Sequence, residues 1–141
     1  MKTLRTGKKW REEKGSSTVE FALVLPALML VIFGIFEFGR MFMTYQMLNS
    51  AAREGARVAS LPGADNALAL QKIEEELAGA GLTPDSYEFT PADISTASRN
   101  DPVTVRVRIL YDSIAWMPGF IPGLSGMEME GVVVMRKEGL N

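Results

Sequence analysis

The sequence predicts an α+β protein: a long N-terminal transmembrane helix, followed by a small domain of one helix and a short antiparallel sheet. Three observations predict this class. Residues 21–36 carry no charge, apolar residues recur at helical spacing within residues 64–80, and apolar and polar residues alternate along residues 103–111. A short sheet packed on a helix gives the α+β layout.

The apolar run is close to membrane length. At ~1.5 Å per residue, residues 21–36 span about 24 Å, which is short of the ~30 Å hydrocarbon core. Apolar residues continue past Glu37 and Arg40 to Tyr45, and this continuation adds about 13 Å. Glu37 and Arg40 are three positions apart, so they can pair on a helix. We therefore expect the membrane segment at about residues 21–45, with a kink favoured at Pro26.

Charge is spread unevenly along the chain. Residues 1–15 hold six basic and two acidic side chains, so the leader carries +4 and the remainder −6 of the net −2. Basic residues before an apolar run place the N-terminus in the cytoplasm and residues beyond about 45 outside. The acidic body argues against nucleic acid as a partner.

The run has three other interpretations. A secretory signal peptide disagrees with the absence of an A-x-A site after the run and with Glu20 at its start. A buried helix of a soluble protein disagrees with the basic leader and with large apolar residues on every face. A plain uncleaved signal anchor stays open.

The stretch "KGSSTVEF" resembles the class III signal sequence that prepilin peptidase processes in type IV pilin-like proteins. The resemblance implies cleavage between Gly15 and Ser16 on the cytoplasmic face. Glu20 then becomes the fifth residue of the mature chain, and the apolar helix follows it. The leader, residues 1–15, is expected to be removed.

A second block, residues 37–60, resembles the TadE-like family, minor pseudopilins of tight-adherence (Flp, type IVb pilus) systems. In that family an apolar helix leads into an E-x-G-R turn and a stretch ending in A-A-R-E-G-A-R. The matching residues here are Glu37, Gly39, Arg40, Ala51, Ala52, Arg53, Glu54, Gly55, Ala56 and Arg57. Phe21 follows the glutamate where major Flp pilins usually have tyrosine, and a longer body follows, which favours a minor component.

The anchor helix is expected to continue to about Ser60, because few breakers precede "LPG" at 61–63. Residues 16–61 then form the N-terminal helix, and residues 62–141 a small extracytoplasmic domain. Arg53 and Arg57 share one face of the helix, beside a ridge of small residues formed by Ala52, Ala56 and Ala59. This ridge is interpreted either as a close contact beside a solvated basic stripe or as a docking face for another pseudopilin.

Within the domain, the second helix covers about residues 64–80, with Leu68, Leu70, Ile73 and Leu77 as candidate apolar positions. The consecutive Glu74, Glu75 and Glu76 point about 100° apart, which predicts a solvated face rather than a metal site. Strands are expected at residues 86–90, 103–111 and 127–137, and a polar loop at 91–102.

The loop "WMPGFIPGLSG", residues 116–126, is rich in Pro and Gly and yet carries large apolar side chains. Two interpretations stay open. The apolar residues either cap the core of the small domain or contact a partner or the membrane surface.

The residue inventory restricts the chemistry. Without cysteine or histidine, disulfides, Cys/His zinc sites and His-based triads are excluded. No phosphate-binding Gly-rich loop is present, and no serine is singled out as a partner for Lys72. We expect no enzyme activity, no metal and no cofactor; a membrane-tethered hydrolase is disfavoured.

The resemblance implies a minor pseudopilin in the bacterial inner membrane that contributes to assembling a Flp pilus and either is incorporated into it, primes it or stays in the membrane. The implied partners are a prepilin peptidase, other pilin-like subunits, the assembly platform and the lipid bilayer. The runner-up is an uncleaved bitopic anchor that carries a small extracytoplasmic binding domain with no pilus role.

Glu20 has two compatible interpretations. Cleavage would create a positive α-amine at Ser16, about one helical turn from the Glu20 carboxylate. The resemblance implies that this glutamate pairs with the amine of a neighbouring subunit during assembly. A carboxylate near the start of a helix is also favoured by the helix dipole, by ~0.3–1 kcal/mol.

Overall fold

The computed structural model describes residues 9–119 and 121–139, with side chains from residue 16 onward; residues 1–8 of the expected leader lie outside the described part. In chain order the helices and strands are α1 (Lys9–Ser60), α2 (Asn66–Gly79), β1 (Ser86–Thr90), β2 (Pro102–Leu110), α3 (Tyr111–Ile114) and β3 (Glu128–Arg136). A short 3-10 turn covers Ile94–Thr96. The predicted α+β class is confirmed.

The chain divides into two compact units, Met1–Phe36 and Glu37–Asn141. In the first unit, residues 16–36 are helical, and most of their apolar side chains are exposed. The helix Ser16–Ser60 is, within the described residues, the one that is long and apolar enough to cross a membrane. The second unit contains the rest of α1, α2, α3 and the sheet.

The sheet has the strand order β1-β2-β3, with β2 antiparallel to both neighbours. Alternate β2 side chains face inward and are fully buried, as the sequence alternation predicted: Val103, Val105, Val107 and Ile109. The opposite face carries charges. Arg106 and Arg108 of β2 lie within ion-pair distance of Glu88 on β1 and of Glu130 on β3.

One hydrophobic core is shared by the C-terminal half of α1, by α2 and by the inward face of the sheet. Leu48 is the largest side chain that α1 contributes, and small residues surround it. A Cβ at Gly131 of β3 would lie 2.5 Å from the Leu48 carbonyl oxygen, so the absence of a side chain lets the strand approach the helix backbone. Residues 37–45 belong to this unit, and Glu37 and Thr44 are buried in it.

The second helix begins at its N-cap Asp65, whose side chain accepts a hydrogen bond from the Leu68 amide at 2.9 Å. Ile73 and Leu77 are buried as predicted. The third buried position is Ala69, whereas Leu68 is exposed, since its place on the helix turns it away from the core. Glu74, Glu75 and Glu76 are exposed, in agreement with a solvated face.

The last strand holds the end of α1. Lys137, which follows β3 directly, is buried, and its Nζ donates to the Ala59 carbonyl at 3.0 Å. The Glu138 amide donates to the Ser60 carbonyl at 2.7 Å. The carbonyls at a helix C-terminus lack partners within the helix, and a cation is favoured there by the helix dipole. Lys137 and Glu138 together therefore close the end of α1.

Candidate functional site

The residues singled out by the sequence are divided between the two units. Gly15, Ser16 and Glu20 lie on α1 in the first unit, and the motif residues 37–57 lie on α1 in the second. Ser16 and Glu20 are in direct contact: the Ser16 hydroxyl donates to Glu20 Oε1 at 3.1 Å. The backbone of residue 16 is thus one helical turn from the carboxylate, as the spacing predicted.

Glu37 is the most deeply buried charged residue of the motif, at 5% exposure. Its Oε1 accepts a hydrogen bond from the Tyr111 hydroxyl at 2.7 Å. The predicted pairing of Glu37 with Arg40 is not among the contacts of the described residues, because Glu37 faces the domain and Arg40 is exposed. Tyr111, predicted as the last residue of the strand, follows β2 directly as the first residue of α3, and it continues the inward parity of β2.

The environment of Tyr111 favours the protonated phenol. Burial, followed by the hydrogen bond to the Glu37 carboxylate, raises the pKa of Tyr111 to about 12. The hydroxyl therefore stays protonated at physiological pH and acts as the donor. This contact joins the first residue of the second unit to the chain 74 positions later.

The A-A-R-E-G-A-R stretch serves the domain's own core. Its alanines, Ala51, Ala52 and Ala56, are fully buried, and so is Ala59 one turn further on. A Cβ at Gly55 would lie 2.5 Å from Ile73 Cγ1, so the glycine lets α2 pack tightly on α1. Of the two interpretations of the small-residue ridge, the close helix contact is the one observed.

The charged residues of the same stretch face away from the core. Arg53 and Arg57 are exposed, and Arg57 Nε pairs with Glu54 Oε2 at 2.9 Å. This is the solvated basic stripe of the sequence analysis. An exposed pair of this kind adds little stability.

Gly39 and Arg40 are placed differently from Gly55. A Cβ at Gly39 would meet nothing within 4 Å. Arg40 lines a shallow cavity of about 170 Å³ between α1 and the end of α2, together with Met43, Thr44, Met47, Ala80 and Leu82. Packing within the second unit therefore explains the glycine at position 55 and not the one at 39.

A larger apolar groove lies where α1 enters the second unit. It has a volume of about 430 Å³, and it runs between α1 and the start of β3. Its lining consists of Phe38, Met41, Phe42, Tyr45, Met127, Glu128, Met129 and Glu130. Phe38 and Phe42 are 61% and 66% exposed.

The loop 116–126 is partly buried and partly exposed. Leu124 is half-buried and packs against the core, as expected of a core cap. Trp116 and Met117 point to solvent, at 68% and 48% exposure. Phe120 lies outside the described residues.

The sequence analysis missed two residues that position α1. The burial of Tyr111 was predictable, because Tyr111 continues the inward alternation of β2. Buried tyrosines usually have a hydrogen-bond partner. The burial of Lys137 was not predictable, because a lysine next to a strand is ordinarily exposed. Within the described residues no three Asp or Glu side chains are grouped to hold a metal ion.

Comparison with known proteins gives one match. A family model described as TadE-like protein matches residues 15–57, which confirms the resemblance drawn from the quoted motifs. No curated protein and no solved structure gives a significant match. The matched segment begins at Gly15 and ends with Arg57, the last residue of A-A-R-E-G-A-R. Residues 15–57 of this chain are therefore a TadE-like segment.

Proposed function

We propose that this protein is a membrane-anchored, pilin-like minor subunit that contributes to the assembly of a Flp, or tight-adherence, pilus. The role is structural, and no chemistry is assigned to its side chains. The observation that carries the proposal is the extent of the TadE-like match, which starts at the glycine before the candidate cleavage site. It then covers the apolar helix and the whole motif block.

Processing at the Gly15–Ser16 bond follows from this assignment. After cleavage, the new α-amine of Ser16 would be cationic near neutral pH. The contact between the Ser16 side chain and Glu20 supports a helix at this position that keeps the amine within reach of the carboxylate. Glu20 would then pair with the amine of a neighbouring subunit as the fibre assembles.

The proposed location is the bacterial inner membrane, with the N-terminus in the cytoplasm and the second unit outside. The exposed apolar side chains of residues 21–36 support the bilayer crossing. The sequence predicted that the membrane segment ends at about residue 45. The buried Glu37 supports an earlier exit from the hydrocarbon, at residue 37, because Glu37 is satisfied by Tyr111 of the folded unit. The partners would be a prepilin peptidase, other pilin-like subunits and the inner-membrane assembly platform.

The processing step is tested by expressing the full chain with and without a prepilin peptidase and measuring its intact mass. We expect the peptidase to remove the first 15 residues from the wild type and to leave Gly15→Val uncut. Gly7→Val is the matched control, since it changes another glycine of the leader and should be processed normally. An intact leader in every sample would support the runner-up, an uncleaved anchor carrying a binding domain.

The assembly role is tested with Glu20→Gln in a strain that makes the pilus. The change keeps the size and polarity of the side chain and removes its charge, so insertion and cleavage should persist while pilus formation falls. Glu12→Gln is the control, because Glu12 would leave with the leader. Normal piliation with Glu20→Gln would show that the charge of Glu20 is not needed for pilus assembly.

A further inference from the structure

We propose that the second unit touches the bilayer surface beside its anchor, through Trp116 and Met117 at the start of the loop and through Phe38 and Phe42 of α1. The occupant of this apolar surface is the interfacial layer of the membrane. The inference rests on the membrane anchoring in the proposed function, and it does not depend on leader cleavage or on a pilus.

Hydrogen bonds join the two ends of the loop, and the exposed apolar residues Trp116 and Met117 follow the first of these ends. Asp112 Oδ2 accepts hydrogen bonds from the Ser125 hydroxyl at 3.0 Å and the Gly126 amide at 2.8 Å. The Tyr111 amide donates to the Met127 carbonyl at 2.8 Å. These bonds hold both ends of the loop together, so that its exposed side chains are presented from a fixed base.

The base of the loop lies at the end of the unit where the chain arrives from the anchor. The Tyr111 hydroxyl bonds to Glu37, which follows Phe36, the last residue of the first unit, in the chain. Met127 lines the same groove as Phe38 and Phe42. The loop base and the first turns of α1 within this unit therefore share one end of the domain.

The short length of the apolar run implies that the membrane surface lies near the end of the domain that contains Glu37 and the base of the loop. Residues 21–36 cover about 24 Å of the ~30 Å hydrocarbon core. The adjoining residues on either side must therefore lie in or near the headgroup region, and Phe38 is two positions past Phe36. The exposed Phe38 and Phe42 offer apolar surface at this level, and the exposed Trp116 is of the residue type enriched at the headgroup level.

The distribution of charge in the second unit also favours contact between the loop and the membrane surface. Residues 113–127 contain no charged side chain, although residues 16–141 carry a net charge of −6. An uncharged stretch with exposed Trp and Met avoids the cost of placing an ion near hydrocarbon. The sheet's exposed ion pairs, in contrast, involve Arg106, Arg108 and their glutamate partners, whose charges suit water.

The experiment uses tryptophan fluorescence of the full chain in phosphatidylcholine nanodiscs with one copy per disc. The chain has two tryptophans, Trp10 and Trp116, so a Trp10→Phe background isolates the loop. The lipid is either unmodified or brominated on the acyl chain near the glycerol. We expect roughly twofold lower Trp116 fluorescence in brominated lipid, since an indole in the aromatic belt lies at that depth.

Two reporters in the Trp10→Phe, Trp116→Phe background serve as controls. Val134→Trp replaces a side chain that is 59% exposed. It lies six residues along β3 from Glu128, about 20 Å from the loop end of the sheet, and should not be quenched. Leu28→Trp reports on the anchor itself and should be quenched by bromine placed deeper in the chain.

The outcomes separate the two proposals. Quenching of Leu28→Trp without quenching of Trp116 would overturn the surface contact and leave the anchor standing. Absence of quenching at Leu28→Trp would overturn both the anchor and the contact. Protection of Trp116 only when discs hold two or more copies would identify a protein partner instead of lipid, and would also overturn the proposal.

Discussion

The hydrogen bond between Tyr111 and Glu37 sets the start of the folded unit. A buried carboxylate without a partner is costly, because the interior of a protein replaces water poorly as a solvent for charge. Here the phenol supplies the missing donor at 2.7 Å. The pair therefore makes the position of Glu37 in the domain depend on one residue far along the chain.

Tyr111→Phe is expected to destabilise the second unit by about 1–3 kcal/mol, because the substitution leaves a buried acceptor unpaired. Guanidinium unfolding of the full chain with Trp10→Phe in detergent micelles, followed by Trp116 fluorescence, measures the change. Tyr45→Phe is the control: Tyr45 is exposed, and an effect within about 0.5 kcal/mol is expected.

The double variant Tyr111→Phe, Glu37→Leu tests the cause. If the cost comes from the stranded carboxylate, replacing Glu37 as well should recover part of the stability that Tyr111→Phe loses. Equal unfolding midpoints for wild type and Tyr111→Phe would show that the bond contributes nothing.

The same pair predicts a pH dependence. An unfolded tyrosine ionises near pH 10, whereas the pKa of Tyr111 in the fold is about 12. Between these values the folded state keeps a proton that the unfolded state has lost, so this contribution is present below pH 10 and is lost as the pH rises toward 12. The stability difference between wild type and Tyr111→Phe should therefore narrow over this range, as measured by unfolding at several pH values; a constant difference would contradict it.

Single residues were predictable where a local pattern decides them. The inward residues of β2 followed from alternation. Helical spacing placed Ala52, Ala56 and Ala59 on one ridge of α1, but it left open whether that ridge packs within the domain or docks another pseudopilin. The partner of Glu37 was not predictable, because it depends on how elements 74 residues apart pack. Sequence spacing offered Arg40 as the partner of Glu37, but tertiary packing pairs Glu37 with Tyr111 instead.

At the level of elements, glycine determines how closely α1 can approach its neighbours. Gly131 lies against the Leu48 backbone and Gly55 against the Ile73 side chain. An added methyl group at position 55 would meet a side chain, which has some freedom to move. At position 131 it would meet backbone, which has almost none.

Gly131→Ala is accordingly expected to destabilise the second unit by about 3 kcal/mol, at the upper end of the usual cost of overpacking. Gly79→Ala in α2 is the matched control, because a Cβ there meets nothing within 4 Å. It should be neutral or stabilising by about 0.5 kcal/mol through reduced freedom of the unfolded chain. Similar unfolding midpoints for the two variants would show that β3 can move away from α1.

The positions of the helices and strands were predicted well, because apolar residues recur at helical spacing in the helices and alternate with polar residues in the strands. The second helix begins at Asn66 and the last strand at Glu128, within two residues of expectation. The short 3-10 turn Ile94–Thr96 was missed, because the polar composition of residues 91–102 hides one buried residue, Ile94. The TadE-like resemblance of residues 15–57 was predictable from sequence, since its motifs are contiguous.

At the level of the whole molecule, the folded unit includes part of the anchor helix. The fragment 37–141 should therefore fold in water, whereas 62–141, the domain as outlined by sequence alone, should not. The shorter fragment lacks Leu48 and the buried alanines of α1, so the inward face of the sheet would lose part of its core. Amide dispersion in NMR spectra of the two fragments measures this; a dispersed spectrum from 62–141 would contradict it.

The attachment of α1 at Glu37, where the second unit begins, and at its C-terminal end has a mechanical consequence. A pull transmitted along residues 21–36 enters the domain at Glu37, which is held by Tyr111. The same helix is held at Ala59 and Ser60 by Lys137 and Glu138. These two points are about 35 Å apart along the helix, and the helix–core contact lies between them. Tension on the anchor is therefore shared along this length in shear, so the domain should stay attached under loads that would peel apart a helix held at one end.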